Sequence, residues 1–435
     1  MLFVQVLLLL GCIILAAKLG GVGVGLAGGL GMVVAVYILG LAPGNIPVSV
    51  ILIIMSVILA LSVMQEAGGM KYMVKCAEKL LRNNPRYINI IAPATTFVLT
   101  TLAGTGYTAM SVLNVIQQVA KDNGVRPSQP LSSSVVASQI AITASPISGA
   151  TAAMYVVVEK MGVSFVDAMA VIFPSALFGC IVAAFVASRQ GCELKDDPIY
   201  LERVKNGLVN LDDIEDTDEP ITPEAKRSVF FFLGGVIFIV AMLMFKSVIG
   251  HHLGSKDIII ITMFFVSLVM AVFCKVPLNR IKQAPIFRDG AESIIVILGI
   301  VWLSSTIIGA HIGQIKDIAA TVLHHYPFLL SLVFFCTSAL LFSQGATSAL
   351  LIPIAASIGV DAGTILASFI AVSALYITNI YPTTAFAIAT DDTGSFLSRK
   401  WNGSFIVNHP FFLPGISGII AAVPFGFLLA TVFVH

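Results

Sequence analysis

The run TLAGTGYT, Thr101 to Thr108, places two glycines and several hydroxyl side chains inside an apolar part of the chain. An apolar segment, Tyr87 to Ala103, leads into this run, and a shorter and more polar segment, Thr108 to Ala120, leaves it. Two half-helices joined by small residues are tolerated in a membrane only where protein or a water-filled cavity surrounds the turn. The run therefore predicts a re-entrant hairpin.

A second run of the same kind occurs late in the chain. SQGAT, Ser343 to Thr347, follows the apolar segment Phe328 to Leu341 and precedes a short one that ends at Ile358. Each hairpin is followed by a long apolar segment with an internal proline, namely Leu131 to Val158, broken around Ser145-Pro146, and Gly363 to Ala389, broken around Tyr381-Pro382. We therefore predict two broken helices, one after each hairpin.

The remaining apolar stretches approach the length of about 20 residues that a membrane-spanning helix needs. The uninterrupted ones are Leu2 to Ala17, Val22 to Leu39, Val48 to Met64, Met169 to Ser188, Val229 to Phe245, Ile258 to Phe273, Ile294 to Ile308 and Phe411 to Val434. Of the 435 residues, 57% are hydrophobic and 11% are charged, where a soluble domain carries roughly 25% charged residues. Mean hydropathy is +0.98. This composition excludes an ordinary soluble enzyme and indicates an all-α polytopic membrane protein.

The same features recur in one order in the two halves of the chain. Each half has three spans, a charged amphipathic stretch (Lys71 to Arg82, then Gln314 to His325), a hairpin, a broken helix and a final span. If the hairpins do not cross, each half crosses five times, and an odd number inverts the second half relative to the first. Inverted repeats with discontinuous helices are typical of secondary transporters. The alternative is a chance alignment of apolar segments.

The positions of Lys and Arg predict the orientation, because cytoplasmic loops are enriched in both. With both termini outside, the inner loops collect 20 of the 24 basic residues, and the outer loops keep Lys160, Lys246, Lys256 and Lys316. The stretch between the halves, Arg189 to Arg227, falls on the inner side with eleven acidic and six basic residues. We expect a cytoplasmic linker there, with a docking or regulatory role as the alternative.

No Lys or Arg is left inside the predicted spans, so an anionic ligand must be held by other groups. Free N–H groups and the positive dipole end of a half-helix favour anions. We therefore predict a substrate site at the two hairpin tips and the two breaks, with glycines that allow tight turns. Its candidate residues are Gly104, Thr105, Gly106, Tyr107, Thr108, Thr143, Ser145, Pro146, Ser148, Ser343, Gln344, Gly345, Thr347, Asn379, Tyr381, Pro382, Thr383 and Thr384.

Two such clusters facing one midplane cavity would suit a small ligand with a carboxylate at each end. The alternative for each single hydroxyl is helix packing, because Ser and Thr are common between membrane helices.

Other functions find little support in the sequence. The histidines lie in loops or at helix ends, away from a hydroxyl that they could activate, and no H-E-x-x-H or P-loop motif is present. The cysteines are scattered singly, which predicts neither a zinc site nor a redox pair.

The glycine-rich run after Lys18 lacks a preceding strand, so we expect close helix packing there. The net charge of +1 gives no basic excess for nucleic acid. We expect no enzyme activity, no metal and no cofactor.

The ordered motifs of the chain resemble those of a known family over essentially its whole length. They are KLGGVGVGLAGGLG (Lys18 to Gly31), PGNIP (Pro43 to Pro47), EKLLRNNPRYI (Glu78 to Ile88), AGTG (Ala103 to Gly106), IAITASPIS (Ile140 to Ser148), DDPIY (Asp196 to Tyr200), YPT (Tyr381 to Thr383), DDTG (Asp391 to Gly394) and NHPFFLPG (Asn408 to Gly415). By these motifs the chain is similar to the anaerobic C4-dicarboxylate transporter (Dcu) family, in its aspartate and fumarate-succinate exchanger branch.

The resemblance implies exchange of fumarate, succinate, malate or aspartate across the bacterial inner membrane during anaerobic respiration. The wider ion-transporter superfamily, which the chain also resembles, implies an elevator mechanism and a homodimer. The parts would be scaffold helices (1–64 and 228–308), interfacial helices (65–86 and 309–326), transport units (87–188 and 327–435) and the linker (189–227). Two alternatives remain open, a sodium- or proton-coupled dicarboxylate symporter, and a partner of a membrane sensor kinase that acts through the inner loops.

Overall fold

The computed structural model describes residues 2–19, 22–46, 48–209, 220–245, 253–311, 325–379, 381–397 and 409–434. Within these ranges every regular element is a helix and no strand forms. A helix pairs its backbone groups within one segment, so it suits a chain that lipid surrounds. Of the second predicted amphipathic stretch, only His325 belongs to the described residues.

The helices of the first half follow the predicted order of spans, hairpin and broken helix. They are α1 (Leu2–Leu19), α2 (Val22–Val33, continued by the π-helix Val34–Ile38), α3 (Val48–Glu66), α4 (Gly69–Asn83), α5 (Ile88–Ala103), α6 (Tyr107–Asp122), α7 (Ser128–Ala144), α8 (Gly149–Val158) and α9 (Phe165–Ala187).

The second half starts after a short linker helix, α10 (Pro198–Lys205). Its helices are α11 (Pro223–Met244), α12 (Ser255–Phe273), α13 (Pro285–Val296, followed by the π-helix Ile297–Val301), α14 (Trp302–Ala310), α15 (Leu329–Leu341), α16 (Gln344–Ser357), α17 (Ala362–Phe369, continued by the 3₁₀-helix Ile370–Ile377), α18 (Pro382–Thr390) and α19 (Phe412–Phe433).

Six helices of the described chain are long and apolar enough to cross a bilayer, or eight if each of two bent pairs counts as one span. One bent pair is the second broken helix, whose two parts meet at 48°. The predicted spans near the N-terminus are shorter apolar helices, Phe3–Ala16 and Val22–Ile38. The prediction of a polytopic all-α membrane protein is therefore confirmed.

The other bent pair turns by 74° where α3 ends and α4 begins. Helix α4 buries Met70, Met73, Ala77 and Leu81 on one face. This spacing of three and four residues is that of an amphipathic helix, with the charged side chains on the opposite face. The turn and the pattern are those expected of a helix that leaves a span and lies along an interface.

The helices pack in two groups. In one group α9 packs on α19, and α7 lies between α5 and α9. In the other group α3 packs on α12 and α13, and α2 packs on α1 and on the π-helix after α13. The half-helices α8 and α16 pack on each other, and α8 also contacts α3. The tips of the hairpins and the breaks thus come to lie where the two groups meet.

The glycine-rich stretch supplies one of these contacts. A methyl group placed at Gly28 would overlap the backbone of Gly299 and Ile300, and one at Gly25 would overlap Ile295. The backbone of α2 can therefore approach the end of α13 and the π-helix this closely only with glycine at both positions. The prediction of close helix packing for this stretch is confirmed.

Candidate substrate site

A cavity of about 390 Å³ lies between the two groups of helices. One wall consists of residues from both hairpin tips, both breaks and the ends of their half-helices. The opposite wall consists of side chains of α1, α2, α3, α13 and the π-helix that follows, most of them apolar. A cavity with an apolar wall and a few converging polar groups is the usual form of a small-molecule site.

The first tip turns at a glycine. Helix α5 ends at Ala103, and Gly104 takes φ +71°, a left-handed conformation that favours glycine. The Thr105 hydroxyl accepts a hydrogen bond from Tyr107 N at 3.4 Å, and its carbonyl accepts one from the Thr108 hydroxyl at 2.9 Å. The start of α6 is thus stabilised by its own threonines.

The second tip turns at a phenylalanine instead. Phe342 has φ +50°, and Ser343 caps α16 by accepting a hydrogen bond from Ala346 N at 3.1 Å. Gly345 lies within the first turn of α16, and Gly106 has φ −70°. Three glycines were expected to turn the backbone, and only Gly104 does so. Gly106 has an ordinary negative φ, and the second tip turns at Phe342, three residues before Gly345.

The first break unwinds the chain between α7 and α8. Ser145 is extended, and Ser148 caps α8 by accepting a hydrogen bond from Thr151 N at 3.1 Å. The Thr151 hydroxyl in turn donates to the carbonyl of Thr143 at 3.0 Å, which ties the two half-helices together. The buried Ser145 hydroxyl has no hydrogen-bond partner among the described residues.

The second break separates the 3₁₀-helix after α17 from α18. Pro382 occupies the first turn of α18, a position where the missing N–H costs nothing. The Thr384 hydroxyl donates to the Tyr381 carbonyl at 2.7 Å. The ring of Tyr381 stacks on that of Phe342 with centroids 6.5 Å apart, so the second break contacts the second tip.

The first residues of four half-helices line the cavity together. They are Tyr107 of α6, Gly149 and Ala150 of α8, Gln344 and Gly345 of α16, and Pro382 and Thr383 of α18. Each start carries backbone N–H groups without an intrahelical acceptor and the positive end of the helix dipole. Four such starts at one cavity are an arrangement that favours an anion with more than one charged group.

The predicted site residues fall into two sets. Those that line the cavity are Gly104, Thr105, Gly106, Tyr107, Ser343, Gln344, Gly345, Tyr381, Pro382 and Thr383. Those that do not line the cavity are Thr108, Thr143, Ser145, Pro146, Ser148, Thr347, Asn379 and Thr384. Several hydroxyls of the second set donate to backbone carbonyls three or four residues earlier, as in Thr143 to Ile140 at 2.7 Å and Thr347 to Ser343 at 2.8 Å.

Three further residues belong to the site but were not singled out from the sequence. Phe342 and Glu292 line the cavity, and Gln139 hydrogen-bonds to two residues that line it. Glu292 could have been noticed as an acidic residue two positions before the predicted span Ile294 to Ile308. Phe342 and Gln139 carry no such signal, because their places depend on contacts between distant segments.

The charges at the cavity are few. No Lys or Arg is found among the lining residues of the described chain, and Glu292 is the acidic residue among them. An anion in this cavity would therefore be held by backbone N–H groups, hydroxyls and amides, without a guanidinium.

A family model described as "Anaerobic c4-dicarboxylate membrane transporter" matches residues 1–434 of the chain. The chain belongs to this family. It is 43% identical to the C4-dicarboxylate transporter DcuA of Wolinella succinogenes over 440 residues, covering 99% of this chain and 100% of the relative. It is 44% identical to DcuA of Escherichia coli K12 over 437 residues, covering 99% of each.

A more distant relative is the anaerobic C4-dicarboxylate transporter DcuB of Escherichia coli O6:H1, at 32% identity over 99% of this chain and 98% of the relative. The predicted family is thus confirmed. As a member of this family, the chain is a multi-pass membrane transporter and not an enzyme.

Proposed function

We propose that this protein exchanges C4-dicarboxylates, such as fumarate, succinate, malate and aspartate, across the bacterial inner membrane by alternating access of the cavity. The observation that carries the proposal is the convergence of four half-helix starts on one cavity without a basic side chain. Two pairs of half-helices, one from each half of the chain, offer separate sets of N–H groups to the two carboxylates of such a ligand. The names of the relatives supply the substrate class.

The architecture supports alternating access by an inverted repeat. The order of hairpin, broken helix and final span occurs in both halves, as α5 to α9 and as α15 to α19. In an elevator these elements would carry the cavity along the apolar wall formed by the other group of helices. The positive-inside rule supports periplasmic termini. The homodimer and the sensor-kinase partner stay predictions that rest on the resemblance alone.

Counterflow in proteoliposomes tests the exchange. Vesicles loaded with unlabelled succinate should accumulate external labelled succinate without any ion gradient. Each labelled molecule that enters is exchanged for an unlabelled molecule that leaves. Vesicles loaded with a monocarboxylate such as acetate are the control, since one carboxylate cannot engage both sets of N–H groups. Equal uptake in both preparations, or uptake only with an imposed gradient, would contradict exchange of dicarboxylates.

The alternative, a symporter driven by protons or sodium ions, is favoured by Glu292. This carboxylate lines the cavity and could bind a proton or a cation together with the substrate. A symporter would require an imposed pH or sodium gradient for net uptake into empty vesicles, and Glu292→Gln would abolish that requirement or the transport itself. An exchanger shows little net uptake into empty vesicles with either gradient.

A further inference from the structure

Gln139 lies on α7 ahead of the first break and is fully buried, with 0% of its surface exposed. Although it does not line the cavity, it contacts three segments that do. Gln344 of the second tip and Thr383 of the second break form hydrogen bonds with it. A methyl group at Gly106 of the first tip would lie 2.8 Å from Gln139 Nε2. One side chain thus connects the two tips and the second break through its own helix.

The hydrogen bonds define which way the amide of Gln139 points. Gln344 Nε2 donates to the backbone carbonyl of Gln139 at 2.8 Å, and this carbonyl can only accept. The same Nε2 donates to Gln139 Oε1 at 3.3 Å. Gln139 Nε2 therefore faces the other way, where it donates to the Thr383 hydroxyl oxygen at 3.3 Å.

This orientation determines what Thr383 can offer a ligand. A threonine hydroxyl has one hydrogen to donate. Because its oxygen accepts from Gln139, that hydrogen is directed elsewhere, and no acceptor among the described residues takes it. Thr383 lines the cavity at the start of α18. Its O–H could therefore be donated to a carboxylate that lies in the cavity.

We propose that Gln139 is the positioning residue of the anion site, which turns the Thr383 hydroxyl into a donor towards the ligand and holds the second tip against α7. The inference rests on the proposed function insofar as the ligand is taken to be a dicarboxylate. Gln139 acts through Thr383 and Gln344 and does not touch the ligand. Gly106 belongs to the same arrangement, because a larger residue there would displace the amide.

A double-mutant cycle on succinate binding tests this role. Purified full-length protein is titrated with succinate, and the dissociation constant is obtained from the ligand-dependent rise in melting temperature. Gln139→Met keeps the volume and removes the amide, and Thr383→Val removes the hydroxyl. Each should weaken binding about tenfold, the order expected for one hydrogen bond to a charged group. The double variant should also be about tenfold weaker rather than about a hundredfold, since both changes remove one interaction.

Gln118→Met is the matched control. Gln118 is also buried, with 2% exposed, but its amide accepts from Arg82 and lies away from the cavity. Succinate should bind this variant as it binds the wild type.

Gln139→Glu provides a second, shape-matched variant in case Gln139→Met does not fold. Its carboxylate accepts from Thr383 and draws the hydroxyl hydrogen away from the ligand, so binding should again weaken about tenfold. Multiplicative losses in the cycle, or unchanged binding in Gln139→Met or Gln139→Glu, would overturn the positioning role. A wild type that shows no shift with succinate would instead refute the proposed substrate.

Discussion

The hydroxyl side chains at the tips and breaks differ in what they do, although they look alike in the sequence. Thr108, Thr347 and Thr384 donate to backbone carbonyls three or four residues earlier, so their hydroxyls are held against the start of their own half-helices. Thr105 and Thr383 line the cavity. The hydroxyl residues beside the tips and breaks thus include some that donate to the backbone and others that line the cavity.

Replacing Thr105 by valine should therefore weaken substrate binding. The change keeps the shape and removes one hydroxyl, so we expect an apparent KM for succinate about 10-fold higher, as for a lost hydrogen bond to a charged group. Thr143→Val is the matched control, because the Thr143 hydroxyl donates to its own helix and Thr143 does not line the cavity. The KM of counterflow measures both. An equal rise in the two variants would remove Thr105 from the site.

A second change concerns the glycine that turns the first tip. In Gly104→Ala the residue must keep φ +71°, and its methyl group would lie 3.1 Å from Ile147 Cγ1 at the first break. A left-handed conformation costs alanine about 1–2 kcal/mol. Gly124 has φ +69° with open space around it, so Gly124→Ala carries the strain without the crowding. Melting temperatures should fall in both variants, whereas only Gly104→Ala should lose affinity for succinate. Normal affinity in Gly104→Ala would show that the first tip tolerates displacement.

At the scale of elements, the DDPIY and DDTG motifs meet although they are almost two hundred residues apart. Arg126, just before α7, forms a buried ion pair with Asp197, at the start of α10, and donates to the Ser395 carbonyl at 2.7 Å. Arg203 of α10 donates to the Asp392 carbonyl at 2.8 Å. The beginning of the linker is thus attached to the elements that carry the tips and breaks.

Asp197→Asn should destabilise the protein strongly. It leaves the Arg126 guanidinium buried without its charge partner, a change that typically costs about 3–5 kcal/mol. The matched control is Glu193→Gln, which breaks an exposed pair on the same linker, where the hydrogen bond from Lys195 lowers the pKa of Glu193. The melting temperature of the purified protein should fall clearly for Asp197→Asn and stay unchanged for Glu193→Gln. Equal melting temperatures would show that the buried pair is dispensable.

At the scale of the whole molecule, the cavity lies between two groups of helices, and the proposed elevator requires one group to slide past the other. Ile54 of α3 and Gly345 of α16 face each other across this boundary, since a methyl group at Gly345 would lie 4.0 Å from Ile54 Cδ1. A covalent bridge at this place would hold the two groups in one arrangement.

The double variant Ile54→Cys/Gly345→Cys should therefore stop counterflow when it is cross-linked by mercury, and recover when an excess of thiol removes the metal. Cys76, Cys192 and Cys336, which are exposed, are first replaced by serine. The control pair Gly363→Cys/Ala430→Cys lies within one group, on α17 and α19, where a Cβ at Gly363 would lie 3.4 Å from Ala430 Cβ, and its bridge should leave counterflow intact. Counterflow that persists in the bridged Ile54/Gly345 protein would refute the sliding motion.

The amino-acid sequence was sufficient for the properties that depend on composition and local pattern. Apolar runs of the right length predicted the helices, prolines and glycines beside hydroxyl residues predicted the hairpins and breaks, and ordered motifs predicted the family. The helices could be predicted in this way because each segment in a bilayer must satisfy its own backbone hydrogen bonds. The places of Gln139 and Phe342, and the division of the threonines, depended on folding, because a contact such as those of Gln139 with residues 205 and 244 positions away leaves no trace in local sequence.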